Sequence, residues 1–145
     1  MPEASGSPGA GQPKRARPVY TNIGVAQILQ YRLPLAGIVS ILHRISGILL
    51  FLVGMPLALY LLQLSLASEQ GFASFQAFLG GFFPRLILLV LVWGFFHHLC
   101  AGIRYLILDL HIGTEKEQAL LSSRIVFGVS GLLTLIAAAK IFGAF

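Results

Sequence analysis

The chain has 145 residues, of which 57% are hydrophobic and 10% charged, and its net charge is +5; its mean hydropathy is +0.85. Ordinary soluble domains carry about 25% charged residues, so this composition excludes a water-soluble core and predicts an all-α integral membrane protein. The basic residues stand in an N-terminal tail and at the ends of apolar runs. Contact with the lipid bilayer therefore explains them better than binding of nucleic acid.

The first twenty residues are rich in glycine and proline and contain Lys14, Arg15 and Arg17. Such a composition cannot bury enough apolar surface to fold. No short apolar core follows the basic residues before a cleavage-like site, which argues against a secretory signal. We therefore expect residues 1–20 to form a disordered cytoplasmic tail and residues 21–145 to form a membrane-anchor domain.

The first transmembrane helix is predicted at about residues 38–66. The apolar run from Ile45 to Leu66 is long enough to cross a hydrocarbon core of roughly 30 Å. The segment from Ser68 to Ala77 is polar, contains glycine, and is predicted to be a loop.

The second and third transmembrane helices are predicted at about residues 84–111 and 123–144. They are separated by a polar segment, Thr114 to Ser123, which is expected to be a short turn. Cys100, the only cysteine, excludes an internal disulfide and is interpreted as a small packing residue.

Orientation follows from the lysines and arginines that flank the spans. They are enriched in the N-terminal flank and the second connection, whereas the first connection has no basic residue until Arg85. Since basic flanks stay on the cytoplasmic side, the N-terminus and the second connection are predicted to be cytoplasmic. Arg44, early in the first span, and Arg104, late in the second, then lie at similar depth.

A polar stripe marks the start of the first span. On a helix Ser40, His43, Arg44 and Gly47 share one face and offer a hydroxyl, an imidazole and a guanidinium. A carbonyl or carboxylate ligand at the membrane border could use all three donors. The alternative is that His43 and Arg44 only extend towards lipid headgroups.

A second polar cluster lies in the second span. His98 and Gly102 share a stripe, and a flat macrocycle held by a helical histidine needs such a gap beside it. Neutral imidazole is a usual axial ligand of haem iron. His97 and Arg104 lie on a different stripe, about 100° away, so one of the two adjacent histidines must face elsewhere. Because Gly102 lies beside His98, His98 is the predicted ligand, and His97 is expected to face a neighbouring helix or a propionate. A six-coordinate haem would need its other ligand from a partner membrane subunit.

Two segments carry a family resemblance. RLPLAGIVSILHRISG (residues 32–47) and HLCAGIRYLILD (residues 98–109) resemble the two signatures of the cytochrome b membrane-anchor subunits of succinate dehydrogenase, respiratory complex II. The upstream Arg17-Pro18 is similar to the pair that precedes the first span in that family. The resemblance extends in topology over residues 17–145. It implies three transmembrane helices that form half of a two-subunit helical membrane anchor.

The resemblance also implies roles for individual residues. In similar proteins the residue matching His98 is an axial ligand of haem b, and the companion anchor subunit supplies the other histidine. Residues matching Ser40 and Arg44 line the ubiquinone site, and those matching His43 and Arg44 lie near the haem propionates. Arg104 is expected to face a propionate or a subunit seam, unless it only marks the end of the helix. Tyr105 is a departure, because the family often has histidine there.

The complex implied by the resemblance contains a flavoprotein, an iron–sulfur subunit and two membrane anchors. Succinate would be oxidised on the flavoprotein, and electrons would reach ubiquinone at the inner surface of a bacterial cytoplasmic membrane. Three other readings remain open from the residues: a haem-free structural anchor, a fumarate reductase anchor, and a small transporter or channel subunit. The last would require inverted repeats or broken helices, which three unequal spans do not indicate.

Overall fold

The computed structural model describes Gly24, Ala26, Gln30 and residues 31–143. The predicted tail and position 144, the last residue of the predicted third span, lie outside this part of the chain. The chain divides into two units, Met1–Arg32 and Leu33–Phe145. In the first unit Ala26 and Gln30 are helical. The second unit contains every helix that carries the site.

The described residues contain helices and no strand. In chain order they are α1 (Leu35–Leu49), a π-helical turn (Leu50–Gly54), α2 (Met55–Ala67), α3 (Glu69–Gly80), α4 (Phe82–Asp109) and α5 (Lys116–Ile141). Three stretches are long and apolar enough to cross a membrane: the first span Leu35–Ala67, the second Phe82–Asp109 and the third Lys116–Ile141. The prediction of an all-α protein with three membrane spans is confirmed. The third span begins at Lys116, earlier than predicted.

The predicted loop after the first span is wrong, because most of it forms α3. Ser68 adopts an extended backbone and its hydroxyl accepts a hydrogen bond from the amide of Gly71 at 3.0 Å, which caps the helix. Glu69 places a negative charge in the first turn, where the helix dipole favours it. A Cβ on Gly71 would collide with the carbonyl oxygen of Leu64, so glycine is what permits this tight reversal.

The second connection is also shorter than the polar sequence indicated. The chain turns at His111 and Gly113, both with positive φ of 60° and 78°. Helix α5 then starts, with the amide of Ala119 bonded to the carbonyl of Glu115 at 2.8 Å. Residues 116–123 were predicted to be a turn and are instead the polar first turns of the third span.

The first span widens halfway along its length. Residues Leu50–Gly54 form a π-helical turn, in which the amide of Met55 bonds to the carbonyl of Leu50. Pro56 follows immediately and has no amide hydrogen to donate to the preceding turn. Because a proline interrupts the regular hydrogen-bond ladder, the adjustment upstream of it is the expected local response.

The interior of the bundle is small and largely polar. Val39, Ala101 and Val126, one from each span, form the buried apolar core, while large apolar side chains on all three spans are exposed. This inversion suits lipid, where helices associate through small side chains and hydrogen bonds rather than hydrophobic exclusion. The buried polar side chains are Ser46, His97, Arg104, Ser123 and Ser130.

Candidate functional site

The first and second spans approach each other at Gly47 and His98. A Cβ on Gly47 would lie 2.9 Å from Cε1 and 3.3 Å from Nδ1 of the His98 ring. Such a contact is closer than real Cβ atoms tolerate. Glycine at position 47 therefore allows the imidazole of His98 to lie against the backbone of the first span.

The position of His98 fixes which ring nitrogen carries the hydrogen. Its Nδ1 lies 3.0 Å from the backbone carbonyl oxygen of His43 and 3.3 Å from the hydroxyl of Ser46. A carbonyl can only accept, so Nδ1 is the protonated nitrogen and Nε2 keeps its lone pair. Nε2 makes no hydrogen bond with any described residue. This donor chemistry fits an axial haem ligand, since metal-binding imidazoles usually donate their other N–H to a carbonyl or carboxylate.

His43 lies directly beside His98. The two imidazoles are stacked, with ring centroids 4.1 Å apart and planes at 10°, and the ring of Tyr105 is tilted against His43 at 5.2 Å. A Cβ on Gly102 would meet Nε2 of His43 at 3.7 Å. The gap that Gly102 was expected to leave for a macrocycle therefore borders His43, and the close approach at His98 is made by Gly47 instead.

Ser40 and Arg44, the other members of the first stripe, do not contact His98. Arg44 is exposed and Ser40 is half-buried. Neither side chain makes a hydrogen bond or ion pair with another residue in the described part of the chain. The structure thus brings His43 and Gly47 to the second span and leaves the hydroxyl and the guanidinium of the same helix unengaged.

Arg104 faces the third span rather than His98. Its side chain is 7% exposed, and its Nε donates to the hydroxyl of Ser122 at 2.9 Å. Nη2 lies 3.5 Å from the carbonyl of Ala119, and the guanidinium lies 5.4 Å from the centre of the Tyr105 ring. Among the described residues no carboxylate pairs with it.

His97 is sealed inside the bundle. It has no exposed surface and packs between Trp93 and Phe127, with ring centroids at 5.6 and 5.5 Å. Neither ring nitrogen makes a hydrogen bond of good geometry with a described residue, although the ring interacts with the backbone of Val39. Of the two expectations for His97, the structure shows contact with a neighbouring helix.

Cys100 is a free, half-buried thiol that packs against the apolar core. This contact agrees with its interpretation as a small packing residue. Within the described residues no group of three or more histidine, cysteine, aspartate or glutamate side chains could hold a bare metal ion.

Sequence reasoning missed Ser46 as a member of the site. It is fully buried, and its hydroxyl donates to the carbonyl of His43 at 2.9 Å. The signal available was its spacing, because a serine three residues after His43 can bond back to that carbonyl within one helical turn. The position of Ser46 against a ring 52 residues away is visible only in three dimensions.

Comparisons with known proteins identify the family to which this chain is similar. Residues 14–137 match the protein family described as succinate dehydrogenase/fumarate reductase transmembrane subunit. The chain is 36% identical over 106 residues to a succinate dehydrogenase cytochrome b556 subunit of Paracoccus denitrificans, covering 73% of this chain and 81% of that protein. It is 35% identical over 111 residues to the cytochrome b556 subunit of Coxiella burnetii, covering 76% and 88%. A cytochrome b560 subunit of Reclinomonas americana is 32% identical over 112 residues, covering 74% and 77%.

Proposed function

This chain belongs to the succinate dehydrogenase/fumarate reductase transmembrane subunit family, and we propose that it holds one haem b and forms part of a ubiquinone site. It is a membrane anchor of the cytochrome b type in succinate dehydrogenase, an oxidoreductase complex. The observation that carries the haem proposal is the pairing of His98 Nδ1 with the His43 carbonyl, which leaves Nε2 available inside a membrane span.

In this proposal His98 is one axial ligand of the haem iron, and a histidine of the second anchor subunit is the other. The haem, when bound, can take up and release one electron reversibly. The contribution of this chain is to hold the imidazole in one tautomer and to exclude water around it. His43 stacks on His98, and Arg44, the next residue along the first span, is exposed. These two side chains would be the N–H and cationic donors for the haem propionates.

For Arg104 the contacts favour a structural role over contact with a propionate. Its Nε and Nη2 already face Ser122 and Ala119 of the third span. His98 and Arg104 are six positions apart, which separates their directions on one helix by about 120°. We therefore assign Arg104 to the seam between the second and third spans.

The haem proposal is tested by His98→Ala and His97→Ala in the complex assembled with its other subunits. The reduced-minus-oxidised spectrum, normalised to flavin, should lose its b-type band in the first variant and keep it in the second. His97 is the matched control because it is the adjacent residue and the same chemical group, yet it is sealed from any ligand. A b-type band that survives His98→Ala would refute the assignment and leave a haem-free structural anchor as the better account.

The ubiquinone proposal concerns Ser40 and Arg44. The unengaged hydroxyl would donate to a quinone carbonyl, and the guanidinium would stabilise negative charge that develops on the quinone during reduction. A charge-assisted hydrogen bond contributes about 1.5–3 kcal/mol, so Arg44→Ala should lower the quinone reductase rate about 10- to 100-fold. Succinate oxidation with a soluble dye as acceptor should stay unchanged.

Arg124→Ala is the matched control for Arg44→Ala, because Arg124 is also an exposed arginine but belongs to the polar start of the third span. Its quinone reductase rate should equal that of the unmodified complex. Equal rates in Arg44→Ala and the unmodified complex would refute the role of Arg44 in quinone reduction.

The remaining parts of the proposal concern partners and placement. Succinate would be oxidised on a flavoprotein subunit, and an iron–sulfur subunit would deliver electrons to the quinone near the start of the first span. The N-terminus and the second connection would face the cytoplasm of a bacterial inner membrane. The proposed orientation is supported by the distribution of lysine and arginine around the three spans.

A further inference from the structure

Ser46 of the first span makes contacts both within its own helix and with the second span. Serine hydroxyls in membrane helices commonly bond back to a carbonyl of their own helix, and the bond from Ser46 to His43 at 2.9 Å is of that kind. Ser130 of the third span does the same with the carbonyl of Phe127 at 3.5 Å. Only Ser46 of these two also reaches an imidazole, His98 of the second span, at 3.3 Å.

The hydrogen bonds around Ser46 have a defined direction. Its hydroxyl hydrogen points to the His43 carbonyl, so the lone pairs of its oxygen are free to accept from His98 Nδ1. That N–H also faces the His43 carbonyl at 3.0 Å. One ring N–H is therefore shared between two acceptors that belong to the same helical turn.

Two acceptors restrict the ring more than one does. With a single acceptor the imidazole could rotate about its Cβ–Cγ bond while its N–H followed the carbonyl oxygen. With a second acceptor fixed beside the first, rotation lengthens one of the two contacts. Gly47 restricts the ring on a third side, because its backbone lies against Cε1 and Nδ1 of the His98 imidazole.

We propose that Ser46 is a positioning residue that fixes the plane of the His98 imidazole by accepting from its Nδ1–H beside the His43 carbonyl. This inference rests on the proposed ligation of haem by His98. The partners of a ligating imidazole in its outer shell set both its orientation and its basicity. The orientation of an axial imidazole plane determines the anisotropy of a low-spin ferric haem, so the plane is measurable independently of turnover.

The test uses Ser46→Ala and Ser46→Cys in the assembled complex, with low-spin ferric EPR and redox titration of the b-type band. Ser46→Ala should keep haem, because the His43 carbonyl and Gly47 remain, but its largest g value should shift and its signal broaden. Ser46→Cys retains a weaker acceptor in nearly the same volume, so its signal should lie between those of Ser46→Ala and the unmodified complex. The midpoint potential should shift in the same order.

Ser130→Ala is the matched control, because Ser130 is equally buried at 1% exposure and also bonds to its own helix. Its EPR signal should match that of the unmodified complex. A Ser46→Ala signal identical to that of Ser130→Ala would overturn the inference, even if His98→Ala still removes the haem and upholds the ligand assignment. If Ser46→Ala does not assemble, Ser46→Cys decides: a shifted signal supports the inference and an unshifted one overturns it.

Discussion

Substitution of Gly47 by alanine tests the geometry of the site most directly. The new Cβ would lie 2.9 Å from His98 Cε1, whereas ordinary contacts begin near 3.4 Å. The ring or the helix must therefore move by about 0.5 Å, and a ring that moves away from the first span can lengthen the 3.0 Å bond to the His43 carbonyl to about 3.5 Å. Overpacking costs about 1–3 kcal/mol, and loss of the hydrogen bond about 1 kcal/mol more.

We expect Gly47→Ala to lower the ratio of haem to flavin and to reduce the melting temperature of the purified complex. Haem is measured from the pyridine haemochrome spectrum and flavin by fluorescence after proteolysis. Gly128→Ala is the control, because a Cβ at Gly128 on the third span meets nothing within 4 Å. Haem content and melting temperature of Gly47→Ala equal to those of Gly128→Ala would refute the packing of His98 against the first span.

Three further substitutions test other contacts of the bundle. Gly102→Ala should fold normally, since its Cβ would meet only His43 Nε2 at an ordinary 3.7 Å; a loss of haem without a loss of stability would show that the macrocycle itself packs on Gly102. Ser122→Ala removes the acceptor of the buried Arg104 and should lower the free energy of unfolding in mixed micelles by about 0.5–2 kcal/mol; no change would mean that another group satisfies the guanidinium. Gly71→Ala should shift the end of the first span and destabilise the protein by about 1–3 kcal/mol in the same assay, because its Cβ collides with a backbone carbonyl, whereas Gly80→Ala meets nothing within 4 Å and should be neutral.

The interior of this bundle explains why single polar residues matter so much here. Its fully buried side chains include one imidazole and three serines, and the serines bond to carbonyls of their own helices. In the hydrocarbon core of a bilayer no water is available to hydrogen-bond a polar group, so each polar group must find a partner within the protein. His97 and Tyr105 are exceptions among the described residues, because neither ring nitrogen of His97 makes a well-formed hydrogen bond and the buried hydroxyl of Tyr105 has no partner. An unpaired buried polar group destabilises a protein by about 1–3 kcal/mol, so an apolar residue of similar size at position 97 should be tolerated well.

The two connections show where sequence patterns were insufficient. Residues 69–80 and 116–123 are polar or contain glycine, which is typical of loops, yet both are helical. A helix at the membrane border is exposed to water and headgroups, so its polarity carries no information about its backbone. The capping hydroxyl of Ser68 was a usable signal, whereas the collision that requires glycine at position 71 depends on the reversal itself.

By itself the sequence determined that this is an all-α membrane protein with three spans, because a hydrocarbon layer imposes length and apolarity on each crossing segment and both are properties of contiguous residues. It also determined which polar residues are candidates, since a charge or imidazole within an apolar run stands out without any structure. Only the tertiary structure decided how these residues pair: that His98 lies on Gly47 and bonds to His43, that His97 is sealed, and that Arg104 faces Ser122. Those choices depend on how one helix is rotated against another by a few tens of degrees, and the packing of residues far apart in the chain sets that rotation.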